Sequence, residues 1–168
     1  FKDEELRLYV GLFIAVVVII VLDIRHLYGS LDEAIRHSAF QVSTIMTTTG
    51  YTTTDYELWP AFSKGILLIL MVIGGCAGST AGGLKVSRIV ILAKTISAEI
   101  RNALHPRHVT SVTLDEKHVK DASGKGAAIY FAIYSGVLVL VFLLVSLNGF
   151  SMETNISATF ACLNNVGP

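Results

Sequence analysis

The sequence predicts an all-α membrane protein in which full spans alternate with short re-entrant helices, and three observations carry that reading. Of 168 residues, 52% are hydrophobic and only 15% charged, with a mean hydropathy of +0.62, a balance foreign to soluble domains of this size. Three long stretches hold no charge at all: Leu8 to Leu22, Gly65 to Leu84 and Gly126 to Met152. Between and after them lie segments with helical periodicity of their own that are too short to cross a bilayer. The 13 basic and 13 acidic residues cancel, so total charge points to no nucleic acid or other polyionic partner. Cys76 and Cys162 sit in apolar sequence with no ligand-spaced His or Cys. Neither a disulfide framework nor a metal site is indicated, and buried, inert thiols are expected.

Crossing the hydrocarbon core takes roughly 20 apolar residues. The third stretch passes easily. The first has 15 uncharged residues, but Leu6, Ile24, Leu27 and Tyr28 extend it past Arg7, Asp23 and Arg25, which can snorkel from its ends. A cleaved signal peptide fits poorly, because Asp3, Glu4 and Glu5 occupy the region that should be basic. The middle stretch places Gly74, Gly75, Gly78, Gly82 and Gly83 inside a would-be span. Each costs a helix about 1 kcal/mol relative to Ala. The run therefore reads either as a helix broken at membrane depth, where the open backbone must face protein or a water-filled cavity, or as a small-residue ridge for close helix packing. Spacing alone does not choose between them.

Charge distribution orients the chain. The segment from Lys85 to Lys125 holds eight of the thirteen basic residues (Lys85, Arg88, Lys94, Arg101, Arg107, Lys117, Lys120 and Lys125), which predicts a cytoplasmic connector. Asp23 to Lys64 carries three basic residues against five acidic ones and belongs outside. Within it, Ser30 and Glu33 have capping-box spacing, and Leu31 to Met46 repeats apolar residues at helical intervals. Such a helix is about 22 Å long, too short to cross and return. A re-entrant half-helix fits.

The half-helix runs directly into Thr47-Thr48-Thr49-Gly50-Tyr51-Thr52-Thr53-Thr54. In a soluble protein this is a threonine-rich surface loop. Between a half-helix and a span it suits a dehydrated monovalent cation: an extended backbone aims carbonyls inward, Gly permits unusual dihedrals, and Thr adds hydroxyls. Asp55 and Glu57 stand just beyond, as solvated loop carboxylates or as a cation-concentrating outer mouth. The layout begins again at Gly126: a span, a short segment from Ser151 to Leu163, then Asn164-Asn165-Val166-Gly167-Pro168. Residue identity between the copies is essentially nil. Order is what repeats, and aligning Gly50 with Gly167 superposes the two turns. The chain stops inside the second turn, which predicts a piece of a longer protein.

Three motifs resemble the Trk/Ktr/HKT potassium transporter superfamily, TrkH type: TTTGYTTTDYELWP (Thr47 to Pro60), IGGCAGSTAGGLKVSRI (Ile73 to Ile89) and ATFACLNNVGP (Ala158 to Pro168), with RNALHP (Arg101 to Pro106) between them. The resemblance covers essentially all of the chain. It implies M1-P-M2 pore repeats with re-entrant pore half-helices and extended filter segments, four in the whole protein, of which this chain holds the third and the first part of the fourth. Residues 1–28 are then M1; 29–62 the pore half-helix, filter and outer loop; 63–100 a broken M2 with an intramembrane loop. Residues 101–125 are the cytoplasmic connector, 126–150 the next M1, and 151–168 its half-helix and truncated filter.

What the resemblance implies for function is potassium uptake across the cell inner (plasma) membrane, with no enzymatic step and no cofactor, the potassium ion being substrate. A sodium or mixed monovalent cation transporter of the same superfamily is the alternative. Implied filter residues are Thr48, Thr49, Gly50 and Tyr51, then Asn165, Val166 and Gly167. The implied gate is Gly74, Gly75, Gly78, Ser79, Thr80, Gly82, Gly83 and Lys85. Implied partners are the lipid bilayer, the missing repeats of the same polypeptide, a second copy in a homodimer, and a cytosolic nucleotide-binding regulatory subunit of TrkA type; no nucleic acid is among them. Two enzymatic or binding readings fit poorly. An intramembrane serine protease at Ser79 needs a general base, but His26, His37, His105, His108 and His118 all lie outside the uncharged runs. A phosphate loop at Gly78 and Gly83 is interrupted by Leu84 before Lys85. A non-transporting membrane scaffold leaves the threonine-glycine turn unexplained.

Overall fold

Asp3 starts the first helix, its carboxylate accepting from the Glu5 N–H at 2.9 Å, and a sequence rich in Leu, Val and Ile carries α1 (Glu4–Ile24) for 21 residues. At 1.5 Å per residue that is about 31 Å, the thickness of a hydrocarbon core. The computed structural model describes residues 3–104, 113–114, 117–118 and 121–167. Helix α2 (Leu31–Met46) starts at Ser30, whose hydroxyl accepts from the Glu33 N–H at 3.2 Å, the cap expected from the spacing. After the polar turn, Asp55 caps a short 3-10 turn (Tyr56–Leu58) through the Glu57 N–H at 3.0 Å. Pro60 then leads into α3 (Ala61–Ile73), where its fixed φ suits a helix start.

These elements share one core. Val16, Ile20 and Ile24 of α1 meet Ala34, Val42, Ile45 and Met46 of α2 and Leu67, Leu70 and Met71 of α3, with Trp59 sealing the outer end. The Trp59 indole donates to the Tyr28 hydroxyl at 2.9 Å, the Tyr28 ring stacks on His37 with centroids 5.2 Å apart, and His37 Nδ1 meets Thr53 Oγ1 at 3.0 Å. His37 thus ties the exit of the threonine turn to α1 and α2. Asp23 turns inward rather than snorkelling: its carboxylate accepts from the fully buried Ser63 hydroxyl at 2.6 Å and joins α1 to α3.

Helix α4 (Val86–Leu104) follows a non-helical stretch after α3, and α5 (Asp121–Ser146) returns beside it. The Arg88 guanidinium lies 4.1 Å over the Tyr130 ring, and Gly124 lets Thr95 approach so closely that a methyl there would fall 2.8 Å from its hydroxyl. The stretch read as a connector, 101–125, is therefore helical at both ends. Between them β1 (Thr113–Leu114) and β2 (Lys117–His118) pair antiparallel, two residues each, the one sheet among the described residues of an otherwise all-helical chain. His105, Pro106, Arg107, His108, Lys120 and Pro168 lie outside the described residues, and Lys117 and His118 are described only as strand backbone.

Helix α6 (Met152–Leu163), capped by Ser151, packs on α5 and α3, with Lys64 donating to Glu153 at 2.7 Å. That neighbouring ammonium holds the exposed Glu153 carboxyl below its ordinary pKa. Cys162 is exposed and Cys76 half-buried, against the expectation of two buried thiols. Cys162 is not covered by the packing of α6 on α5 and α3 within this chain. Among the described helices, α1 and Gly124–Ser146 within α5 are long and apolar enough to cross a membrane; α3 is apolar but has 13 residues.

Replacing Ser63 with Ala leaves the Asp23 carboxylate without its interior donor, which should lower stability by about 1–3 kcal/mol. The check is the thermal unfolding midpoint of the purified protein in detergent.

Candidate functional site

Both short helices end in the same turn, made from different residues. Thr47 closes α2 at φ −87, ψ −4, and Asn164 closes α6 at φ −94, ψ 5. The next residue is left-handed in each, Thr48 at φ 54 and Asn165 at φ 56, and the glycine two further on is again positive, Gly50 at φ 80 and Gly167 at φ 81. Hydrogen bonds follow suit. Thr48 N–H reaches the Ile45 carbonyl and Thr49 N–H the Thr44 carbonyl at 3.1 and 2.8 Å; Asn165 and Val166 reach Cys162 and Ala161 at 3.2 and 2.9 Å. This is the Schellman pattern of helix termination, twice. Asn tolerates the left-handed position readily. Thr does not, and a β-branched residue there carries about 1–3 kcal/mol of strain. Thr48 uses the position to place its Oγ1 where the Gly82 N–H donates to it at 3.3 Å.

The two turns touch. A methyl on Gly50 would fall 2.1 Å from the Val166 carbonyl oxygen, so only glycine lets the backbones meet there. Val166 also sends its side chain, 4% exposed, into the core of α1, α2 and α3. One residue thus fixes the second turn to the first by both backbone and side chain. Asn164 is fully buried; its Oδ1 accepts from the Tyr134 hydroxyl of α5 at 2.7 Å and its Nδ2 donates to the Phe160 carbonyl at 2.8 Å. Thr49 and Tyr51 are exposed, with Thr49 Oγ1 held by Thr47 Oγ1 at 2.8 Å. Each helix brings the negative end of its dipole, about half an elementary charge, to its turn. The pair of turns therefore offers carbonyls and negative field to a cation.

Beneath the turns lies the glycine-rich stretch. Gly74, at φ 68, ends α3, and residues 74–85 are not helical, so the small-residue ridge, which needs a continuous helix, does not form. The ends of the stretch nonetheless bond to each other. Leu84 N–H donates to the Val72 carbonyl at 2.9 Å, Lys85 to Ile73 at 3.0 Å and Val86 to Gly75 at 3.1 Å. In a helix those carbonyls accept from four residues on; here the partner is eleven or twelve on, and the stretch loops out of the ladder. Glycines permit the closure: a methyl on Gly74 would fall 2.1 Å from the Gly82 carbonyl oxygen, and one on Gly83 2.9 Å from that of Val72. Gly82 also presses on the second turn, where a methyl would fall 1.9 Å from the Asn164 carbonyl oxygen.

Inside the loop, Ser79 donates through its hydroxyl to the Cys76 carbonyl at 2.7 Å, a holding contact rather than a nucleophile's. Lys85, left-handed at φ 70, curls back so that its ammonium donates to the carbonyls of Ser79 and Ala77 at 2.8 and 3.3 Å. Gly75 is buried against Ala81 and Ser79, whereas Gly78 has open space around it, and Gly78, Ser79 and Thr80 form an exposed tip. Of the residues singled out from the sequence, Gly50 meets Val166, Thr48 meets Gly82, and Gly82 meets Gly74, whereas Lys85 reaches only its own loop and the end of α3. Asp55 and Glu57 remain solvent-facing loop carboxylates, one of them a cap. The sequence placed Asn164 in the second turn without a role of its own, and it marked neither Tyr134, which holds that turn through Asn164, nor Glu5 as a contact of the loop. The doubled Asn at 164 and 165 was a signal for the first; nothing local marked the others.

A sequence profile of the TrkH family, described as a cation transport protein, matches residues 6–168. The chain is 34% identical over 169 residues to the Trk system potassium uptake protein TrkH of Salmonella typhimurium, covering 99% of this chain and 35% of that protein. It is likewise 34% identical to the Trk system potassium uptake protein TrkG of Escherichia coli, again over 99% of this chain and 34% of that one. The crystal structure of the potassium transporter TrkH from Vibrio parahaemolyticus superposes with a TM-score of 0.92 at 34% identity, over 99% of this chain and 36% of that chain. The chain spans about a third of the length of the curated relatives it matches.

Tyr134→Phe removes the donor to a fully buried amide oxygen, which should cost about 1–3 kcal/mol of stability. Thermal unfolding of the full-length protein in detergent measures the loss.

Proposed function

This chain belongs to the TrkH family of cation transport proteins, a family of membrane transporters rather than enzymes, and from that membership we propose that it forms two of the four filter segments, and the gate, of a potassium-uptake pore. One observation carries the reading: two half-helices end in the same left-handed turn and meet at Gly50 and Val166. Thr48, Thr49, Gly50 and Tyr51 supply one quarter of the filter and Asn165, Val166 and Gly167 the next. Carbonyl oxygens replace the ion's water there, and the half-helix dipoles offset part of the dehydration cost. The remaining quarters come from repeats beyond this chain.

Gly74, Gly75, Gly78, Ser79, Thr80, Gly82, Gly83 and Lys85 form an intramembrane loop under the filter, and the contact of Gly82 with Asn164 supports its placement as a gate. Its tip, exposed at Gly78, Ser79 and Thr80, is on this reading the part that extends toward the ion path. On this reading the chain is multi-pass in the cell inner membrane, with residues 85–125 cytoplasmic and the filter turns facing outside. Homodimerisation and control by a cytosolic nucleotide-binding subunit of TrkA type belong to the same proposal; the basic connector supplies a docking surface of suitable charge.

The test uses the full-length protein in a host deficient in potassium uptake. Gly50→Ser places a Cβ against the Val166 carbonyl at a positive φ, so it should reduce preference for potassium over sodium about tenfold, which corresponds to about 1.4 kcal/mol. Growth rescue and ion preference unchanged from wild type would sink the filter assignment. A wild-type protein that rescues equally on sodium favours the mixed-cation reading. Shortening the loop between Gly78 and Gly83 should raise leak in the closed state, measured as passive potassium efflux from loaded proteoliposomes.

A further inference from the structure

Glu5 stands in the first turn of α1, far in sequence from the loop, yet its Oε1 accepts from the Ala77 N–H at 2.7 Å and from the Ser87 N–H at 3.2 Å. The second donor belongs to the first turn of α4, whose initial N–H groups have no partner within their own helix. Of these, Val86 is satisfied by Gly75 and Ser87 by Glu5. Ala77 is held at both its polar atoms, because its carbonyl accepts from the Lys85 ammonium at 3.3 Å. The two contacts differ in kind. Lys85 is part of the loop and staples its shape, whereas Glu5 comes from another helix and fastens the loop to the scaffold.

We propose that Glu5 is the latch of the gate: a positioning residue on α1 whose carboxylate pins the loop backbone at Ala77 and the start of α4 at Ser87, holding the loop under the filter in the closed state. This rests on the loop acting as the gate. Opening by any movement of the loop away from α1 requires the Ala77 bond to break, and a bond from a backbone N–H to a carboxylate is among the stronger ones a loop can lose. The other side-chain bond described between this loop and the rest of the chain, Gly82 N–H to Thr48 Oγ1, is longer at 3.3 Å and uncharged.

The experiment compares passive potassium efflux from proteoliposomes holding the full-length protein, either wild type, Glu5→Ala, Glu5→Gln or shortened between Gly78 and Gly83. Glu5→Ala should raise closed-state leak about tenfold, while Glu5→Gln, whose amide oxygen still accepts both N–H groups, should stay close to wild type. Hydrogen exchange read by mass spectrometry keeps the test open if conductance is lost: Glu5→Ala should speed exchange across residues 74–88 while leaving 31–46 unchanged. A Glu5→Ala protein with wild-type leak and wild-type exchange at 74–88, alongside a leaky loop deletion, overturns the latch and leaves the gate standing. Equal leak in the Ala and Gln variants also overturns it. If the loop deletion does not leak, the gate reading itself fails and the latch with it.

Discussion

Everything in this chain depends on accounting for backbone hydrogen bonds across the interruption between α3 and α4. A polypeptide surrounded by hydrocarbon has no water to satisfy free N–H and C=O groups, so a break in a spanning helix survives only if the freed groups find partners in protein. Here most of the solution is internal. The carbonyls of Val72, Ile73 and Gly75 are returned to N–H donors of Leu84, Lys85 and Val86, so the helix is severed in sequence but bridged in hydrogen bonding. What the bridge leaves over, at Ala77, Ser79 and Ser87, is taken up by one carboxylate and one ammonium. Glycine at 74, 82 and 83 is the condition for this, because each marks a place where another backbone occupies the room of a side chain.

The same close packing joins the two helix-and-turn units. Val166 belongs by sequence to the second and by burial to the first, and Asn164 is gripped by α5 from outside and pressed by Gly82 from below. The two turns and the loop therefore form a single stack, so a change in any layer acts on the next through atoms in contact rather than through distant strain. Thr48 shows the coupling most directly: its backbone shapes the upper turn while its hydroxyl accepts from the loop.

Much of the architecture was legible because periodicity and capping report local physics. Leu31 to Met46 and its Ser30 cap could be read directly, as could the apolar runs of α1 and α5. The turn repeat was legible only as an order of elements, because Thr48 and Asn165 reach one left-handed conformation with unlike side chains. Spacing could not decide between a packing ridge and a broken helix at Gly74 to Gly83, since both want glycine; the ends of the break bond across a gap no local pattern encodes. Asp23 read as an end charge able to snorkel, and Glu5 only as an acidic residue where a signal peptide is basic. Each instead finds a donor on another helix, and tertiary partners of that sort leave no trace in neighbouring residues. Cys162 went the other way, because apolar neighbours predict burial only where something is present to cover them.

The bridged break has a consequence for how such a chain can change over time. Inserting one residue into a continuous helix rotates everything beyond it by about 100° and carries every buried face out of place. Between Cys76 and Ala81 no such penalty applies, because the orientation of α4 is set by the bonds at Val72, Ile73 and Gly75 and not by the number of residues in between. Length and sequence at the tip are thereby uncoupled from the register of the helices on either side, which leaves the tip free to vary while the frame that carries it stays the same.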